Sequence, residues 1–138
     1  MQNKKLESLN EQTLFELLKE KLVPDLQQTD QFHFSDCFSK EKDLIVELKC
    51  RRTHYESLII EQSKYIKLMS ASYWEVRYIN STPLGIYSFD LRIIEEPTWI
   101  TKDCKRTTDF EDNSYVPKLV GLLELKDSKD ITNLLLGE

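Results

Sequence analysis

With 138 residues, 40% of them hydrophobic, the chain suffices for one ordinary core and falls short of two, so a single domain covering 1–138 is expected. A formal net charge of −5 excludes a protein that coats nucleic acid indiscriminately, because such binding neutralises phosphates with many lysines and arginines; a local basic strip remains compatible. No apolar run approaches the roughly 20 residues of a membrane span and the start lacks a secretory apolar stretch, so a soluble cytoplasmic protein with no membrane partner is the expectation.

An amphipathic first helix is predicted over about 8–23: Ser8 and Glu11 have capping-box spacing, Leu14, Leu17, Leu18 and Leu22 line one face, and Pro24 stops it. After a polar stretch, 25–30, the segments 31–39 and 43–51 read as two strands of a hairpin joined by Lys40-Glu41-Lys42. Tyr55, Leu58, Ile59, Tyr65, Ile66 and Met69 have helical spacing and predict a second helix over 54–70. Trp74, Val76 and Tyr78 alternate with polar neighbours, turn residues fill 81–85, and Tyr87, Phe89 and Leu91 alternate again, which predicts a second hairpin. Residues 95–113 show no period and read as a long loop anchored by Trp99 and Phe110. A last apolar run, 116–125, reads as a strand, and Asp127 or Ser128 caps a short helix through Leu136. Trp74 and Trp99 are expected in the core. Cys37, Cys50 and Cys104, odd in number and far apart, are expected to stay reduced and to pack.

The chemistry concentrates in the first hairpin. Alternation places Ile45, Glu47 and Lys49 on one face of their strand, and Asp36 is the charged member of a face otherwise made of Phe32, Phe34 and Phe38. Asp36 precedes Glu47 by eleven positions, a span that lets a turn bring the two carboxylates together. Two hard oxygen ligands completed by water suit Mg2+ or Mn2+. Phosphodiester hydrolysis needs a nucleophilic water, neutralised phosphate charge and a stabilised leaving oxygen, which a metal held by Asp36 and Glu47 supplies, with Lys49 orienting the water or touching the phosphate. Arg51 and Arg52 extend the positive charge as candidate phosphate contacts. The plain alternative is a half-exposed Glu47–Lys49 ion pair with Asp36 there by accident. A second Glu-x-Lys, Glu124-Leu125-Lys126 with Asp112 upstream, is set aside on context, since it lies near the chain end with only a short helix behind it.

Asp36, then Glu47-Leu48-Lys49, then a helix resembles the PD-(D/E)XK nuclease superfamily. The stretches 47–55, 60–65 and 105–110, with Trp99 and Lys118-Leu119-Val120, look like a subgroup of small nuclease-like proteins of phages and mobile elements, so the likeness runs over most of 31–125. The resemblance implies a restriction-endonuclease-like core and metal-dependent cleavage of DNA with Asp36, Glu47 and Lys49 as catalytic residues. Superfamily members often add a carboxylate from the first helix, for which Glu20, at the edge of the apolar face, is the candidate over Glu16. The resemblance also promotes Lys64 above an ordinary surface lysine. Gln62, in the middle of the second helix's apolar face, reads equally as a core link or as an arm reaching the site. Many small nucleases of this kind are dimers, which admits a homodimer. Lys102, Lys105, Arg106 and Lys118 form a basic cluster able to grip a nucleic-acid backbone, although charge-rich loops are usually just solvated. Neither His33 nor His54 is expected to be catalytic. The rival function is a nuclease fold without turnover that binds DNA or a protein partner.

Overall fold

The computed structural model describes residues 9–30, 33–105 and 114–137. The first helix, α1 (Glu11–Lys21), starts two residues later than the capping-box reading: Asn10 is the cap, its side chain accepting the Thr13 N–H at 2.8 Å, while Ser8 lies outside the described residues. An asparagine oxygen satisfies one of the helix's orphan donors as well as a serine does. Leu14, Phe15 and Leu18 form its buried face.

Three strands follow, β1 (Gln27–Asp30), β2 (His33–Ser39) and β3 (Leu44–Cys50), as an antiparallel meander. The polarity of 25–30 predicts a connection; β1 is instead an irregular edge strand, held by backbone pairing to β2 rather than by burial, and it therefore shows no apolar period. A further correction concerns 54–61, expected as helix. Here β4 (Ser57–Glu61) pairs with a distant strand, and only α2 (Gln62–Ser70) is helical. Leu58 and Ile60 point inward, while Tyr55 and Ile66, assigned to an apolar helix face, are exposed. The Leu-Ile-Ile run suits a strand as well as a helix, and the partner strand that decides between them is more than fifty residues away.

The chain then enters β5 (Glu75–Thr82), which lies parallel to β3, and returns through β6 (Gly85–Asp90). Trp74 is 82% exposed instead of buried, because the core ends at Val76 and Tyr73 takes the place against Phe38. Trp99 is half-buried, edge-on to Tyr65. The expected long loop contains β7 (Ile100–Lys105), whose side chains are exposed except for a half-buried Cys104; it is held by β8 (Tyr115–Glu124). The chain ends with a 3-10 turn (Leu125–Asp127), β9 (Lys129–Asp130) and α3 (Thr132–Leu136). The Asp130 carboxylate, not Asp127 or Ser128, accepts the Thr132 N–H that opens this last helix, at 2.9 Å. Phe32, Arg106, Phe110 and Asp112 lie outside the described residues, as do the side chains of His33 and Phe34.

The result is a mixed six-stranded central sheet, ordered β1-β2-β3-β5-β6-β9, with a second three-stranded sheet, β4-β8-β7. Strand alternation divides β3: Leu44, Val46 and Leu48 pack with α1 and α3, while Ile45 packs with a second core that contains Tyr65 and Leu68 of α2, Leu58 and Ile60 of β4, and Leu123 of β8. Glu47 and Lys49 share the face of Ile45. No helix among the described residues is long and apolar enough to cross a membrane. The three cysteines are free thiols, Cys37 buried and the other two half-buried.

Arg51, at the end of β3, fastens the second sheet to the first. Its Nε donates to Asn80 Oδ1 at 2.7 Å, and its Nη2 donates to the Ile59 carbonyl at 2.6 Å and to the Tyr78 hydroxyl at 3.1 Å. The guanidinium expected to meet phosphate is thus consumed internally. Arg51→Ala strands the buried Asn80 oxygen and should destabilise the fold by about 1–3 kcal/mol in urea unfolding; Arg51→Lys, which cannot reproduce the fork, should be nearly as unstable. A midpoint unchanged in both variants would return Arg51 to the pool of free phosphate contacts.

Candidate functional site

Asp36 and Glu47 are direct partners in the β2–β3 register, which puts their side chains on the same face of adjacent strands. Like charges in that arrangement repel, and the surroundings relieve the repulsion in two ways. Glu47 favours its neutral, protonated form, and two lysines from α2 reach the pair. Lys64 Nζ lies 3.1 Å from Glu47 Oε1 and 4.0 Å from Asp36 Oδ1, and Lys67 Nζ lies 3.5 Å from Asp36 Oδ2.

The two acids differ in protonation. Burial, and then the hydrogen bond and charge of Asp36, push the Glu47 carboxyl up to about 8, with Lys64 pulling the other way. The hydrogen bond from Glu47, helped by Lys64 and Lys67, holds Asp36 below the usual carboxylate range despite partial burial. Of the two acids, Glu47 is therefore the one that favours its protonated form and Asp36 the one that favours its ionised form. Burial works against the Lys64 ammonium, but attraction to Glu47 and Asp36 outweighs it and raises Lys64 above the ordinary lysine value. The buried Cys37 thiol is pushed up to about 12 by burial, then by the two carboxylates, so it is no nucleophile.

Lys49, two positions beyond Glu47 on the same face, is half-buried and enters no ion pair among the described residues. It stands opposite Asn80 of β5, a fully buried side chain whose Nδ2 has no partner. Glu47 Oε2 is likewise buried and without a partner. A cation is one means of satisfying such an oxygen, and two adjacent hard carboxylates are a donor set that fits Mg2+ or Mn2+ once the Glu47 proton leaves. No group of three or more His, Cys, Asp or Glu side chains with metal-site geometry occurs among the described residues, so Asp36 and Glu47 are the protein's contribution and water or substrate would complete the shell.

Other expected residues lie elsewhere. Glu20 and Glu16 are exposed on α1, which packs on the opposite face of the sheet, so neither joins the carboxylates. Gln62 is the half-buried first residue of α2. Arg52 and Lys105 are exposed, the latter at the end of β7. Lys118 is paired with Glu61 at 2.8 Å, and Lys102 stands across from it. His54 reaches Thr82 Oγ1 at 2.8 Å. Glu124, of the second Glu-x-Lys, is exposed and accepts the Ser57 hydroxyl. Two residues of the site escaped the sequence reading. Lys67 follows Lys64 by three positions and so shares its helix face, and Asn80 stands among Ser81, Thr82 and other polar residues of β5, so that nothing in the sequence marks it as a buried polar link.

The Glu47 carboxyl gives a pH signature. Its folded value of about 8 lies above the ordinary 4.5, so between these limits the unfolded chain ionises while the folded protein stays protonated. Stability of the metal-free protein should therefore fall as pH rises from about 4.5 to 8, by at most ~1.4 kcal/mol per pH unit from this group, and level off above. Asp36, shifted downward, acts in a separate window, losing its contribution as pH drops through its lowered value, below 3.8. Thermal melts in EDTA across this range should show the decline, and Glu47→Gln should flatten it. An identical slope in the variant means that another group is titrating.

Comparison with known proteins returns no matching family model, no matching curated sequence and no matching solved structure, so the functional reading rests on this geometry.

Proposed function

We propose that the chain is a metal-dependent nuclease of the PD-(D/E)XK type that hydrolyses DNA phosphodiesters with Mg2+ or Mn2+. The observation that carries this reading is the direct register pairing of Asp36 with Glu47, two positions before Lys49, with one buried carboxylate oxygen left unpartnered. The strand order supports it. Three strands of the central sheet lie between α1 and α2, β5 returns parallel to β3, and the acids sit on the second and third strands, as in a restriction-endonuclease-like core.

Asp36 and Glu47 would hold the cation, which supplies an activated water and neutralises charge on the scissile phosphate. Glu47 must give up its proton to bind it. Lys64 must leave the carboxylates, and with Lys67 it then offers positive charge at the rim of the site for phosphate oxygens. Lys49, in no ion pair among the described residues, would orient a water or a phosphate oxygen beside Glu47.

One observation favours the second reading, a module that keeps the fold and binds DNA or a protein without turnover. Lys64 already bridges both carboxylates and supplies the positive charge that they need without any metal.

Incubation with single-stranded, duplex and branched DNA in Mn2+, Mg2+ or EDTA separates the two. On the nuclease reading cutting requires metal and falls about 100-fold or more in Glu47→Ala and in Lys49→Ala, with the fold kept. Unchanged activity in both variants sinks the assignment, and binding of uncut DNA by the wild type in every metal supports the second reading.

A further inference from the structure

The face of the central sheet opposite the carboxylates carries a groove that the nuclease reading does not use. One part, about 350 Å³, is floored by Leu44, Val46 and Ile79, which alternate away from Glu47. Another, about 720 Å³, opens beside Trp74 and Ile93, and the two share the wall formed by Glu75 and Arg77. Trp74 and Ile93 are 82% and 81% exposed, which makes this the most solvent-open pair of large apolar side chains among the described residues.

The charges along the groove are uneven. Its two acids are occupied, since Arg77 lies 2.8 Å from Glu75 and 3.7 Å from Asp90. Lys42 and Lys129, on the walls, pair with no carboxylate among the described residues. Arg92, beside Trp74, is anchored by carbonyls alone, its Nε on Tyr73 at 2.9 Å and its Nη2 on Ala71 at 3.1 Å. Carbonyls fix a guanidinium without cancelling its charge. A chain of net charge −5 thus places four cations against two acids in one groove that ends at an exposed indole.

We propose that this groove binds a nucleic-acid strand with unpaired bases, one base stacking on Trp74 and the backbone following Arg92, Lys129 and Lys42. A flat exposed indole in a cationic groove fits that chemistry: stacking on it needs an open base face, which paired bases within a duplex do not offer. The carboxylates lie on the other face of the sheet, and the groove meets that face at the sheet's end. Tyr73, next to Trp74, touches the ring of Phe38, which lies two residues beyond Asp36 on the same strand face. The inference rests on the nuclease reading only in taking nucleic acid as the partner, and it narrows the substrate to strands with an unpaired segment.

The chain has two tryptophans, so Trp99→Phe leaves Trp74 as the sole tryptophan, excited selectively on the red side of the tyrosine absorption band. In EDTA, where nothing is cut, a ten-nucleotide oligothymidylate should quench this emission and a blunt duplex of the same length should not. In a polarisation assay with labelled oligothymidylate, Trp74→Ala should weaken binding roughly 5- to 100-fold, and Arg92→Ala with Lys129→Glu should reduce its salt dependence. Trp74 is exposed, so its loss leaves the fold intact, checked by circular dichroism. Equal quenching by duplex, or no quenching, overturns the proposal. So does a Trp74-dependent dimer in sedimentation that ignores the oligonucleotide, which identifies the groove as a contact between copies. The outcome is independent of cutting: quenching without metal-dependent cleavage leaves this inference standing and removes the nuclease reading, and metal-dependent cleavage without quenching does the reverse.

Discussion

Two carboxylates face each other across one antiparallel ladder, and much of the molecule's arrangement answers that juxtaposition. Asp36 opposite Glu47 is an unfavourable pair on a bare sheet, and burial of Glu47 makes it worse, because an ion removed from water loses solvation that a neighbouring anion cannot replace. The structure eases the conflict by favouring the protonated form of Glu47 and by laying α2 across the acids, with Lys64 and the more exposed Lys67 reaching them. Both remedies are reversible. A proton can leave and a lysine can swing away, whereas an apolar residue at either position would have removed the problem permanently. This retention of a costly pair is the physical argument that it serves something other than stability.

The two faces of the central sheet divide the work. The α1 face is an apolar layer running from Leu14 to Leu135, and it can hold the sheet without help from charge. The α2 face mixes apolar packing with a polar row, Asp36, Glu47 and Tyr78 on adjoining strands, and Lys49 beside Asn80 one step along. Polar groups at that depth need fixed partners, and Arg51 supplies them to Asn80, Tyr78 and the Ile59 carbonyl together. Since Ile59 belongs to β4, the same clamp docks the second sheet against the first, so the rigidity of the site and the joining of the sheets share one side chain.

What could be read in advance follows from the range of the forces involved. The first hairpin was legible because alternation and a short turn are local, and with it the meeting of Asp36 and Glu47. The α1 helix and β5–β6 hairpin were legible for the same reason. β4 was not: Leu58, Ile59 and Ile60 satisfy either period, and β8, which settles the matter, is far along the chain. β1 and β7 are held by backbone pairing with side chains largely in water, so no hydrophobic signal marks them. Trp74 misled because alternation indicates a side of the strand and cannot indicate where the core ends. At the site, the carboxylates came from one hairpin, but Lys67 became relevant only when α2 was laid over β2, a tertiary fact. Arg51 illustrates the converse. Its position after Lys49 suggested an outward phosphate contact, and its three acceptors come from strands that sequence could not place beside it.

On the proposed nucleic-acid reading an acidic protein has to separate its charges, and the pairings are compatible with that separation. Asp36 and Glu47 are covered by Lys64 and Lys67, Glu61 by Lys118, and Glu75 with Asp90 by Arg77. Each of these acids projects little field into solvent, because a cation a few ångströms away turns it into a short dipole whose potential falls off steeply, and salt shortens its reach further. Lys42, Lys129 and Arg92, with no carboxylate partner among the described residues, keep their full monopole. A phosphate approaching that face meets cations first, whatever the sum over the whole chain. On the proposed reading the net charge then weakens attraction of nucleic acid to the rest of the surface, which would confine a strand to the places where unpaired cations and an exposed ring coincide.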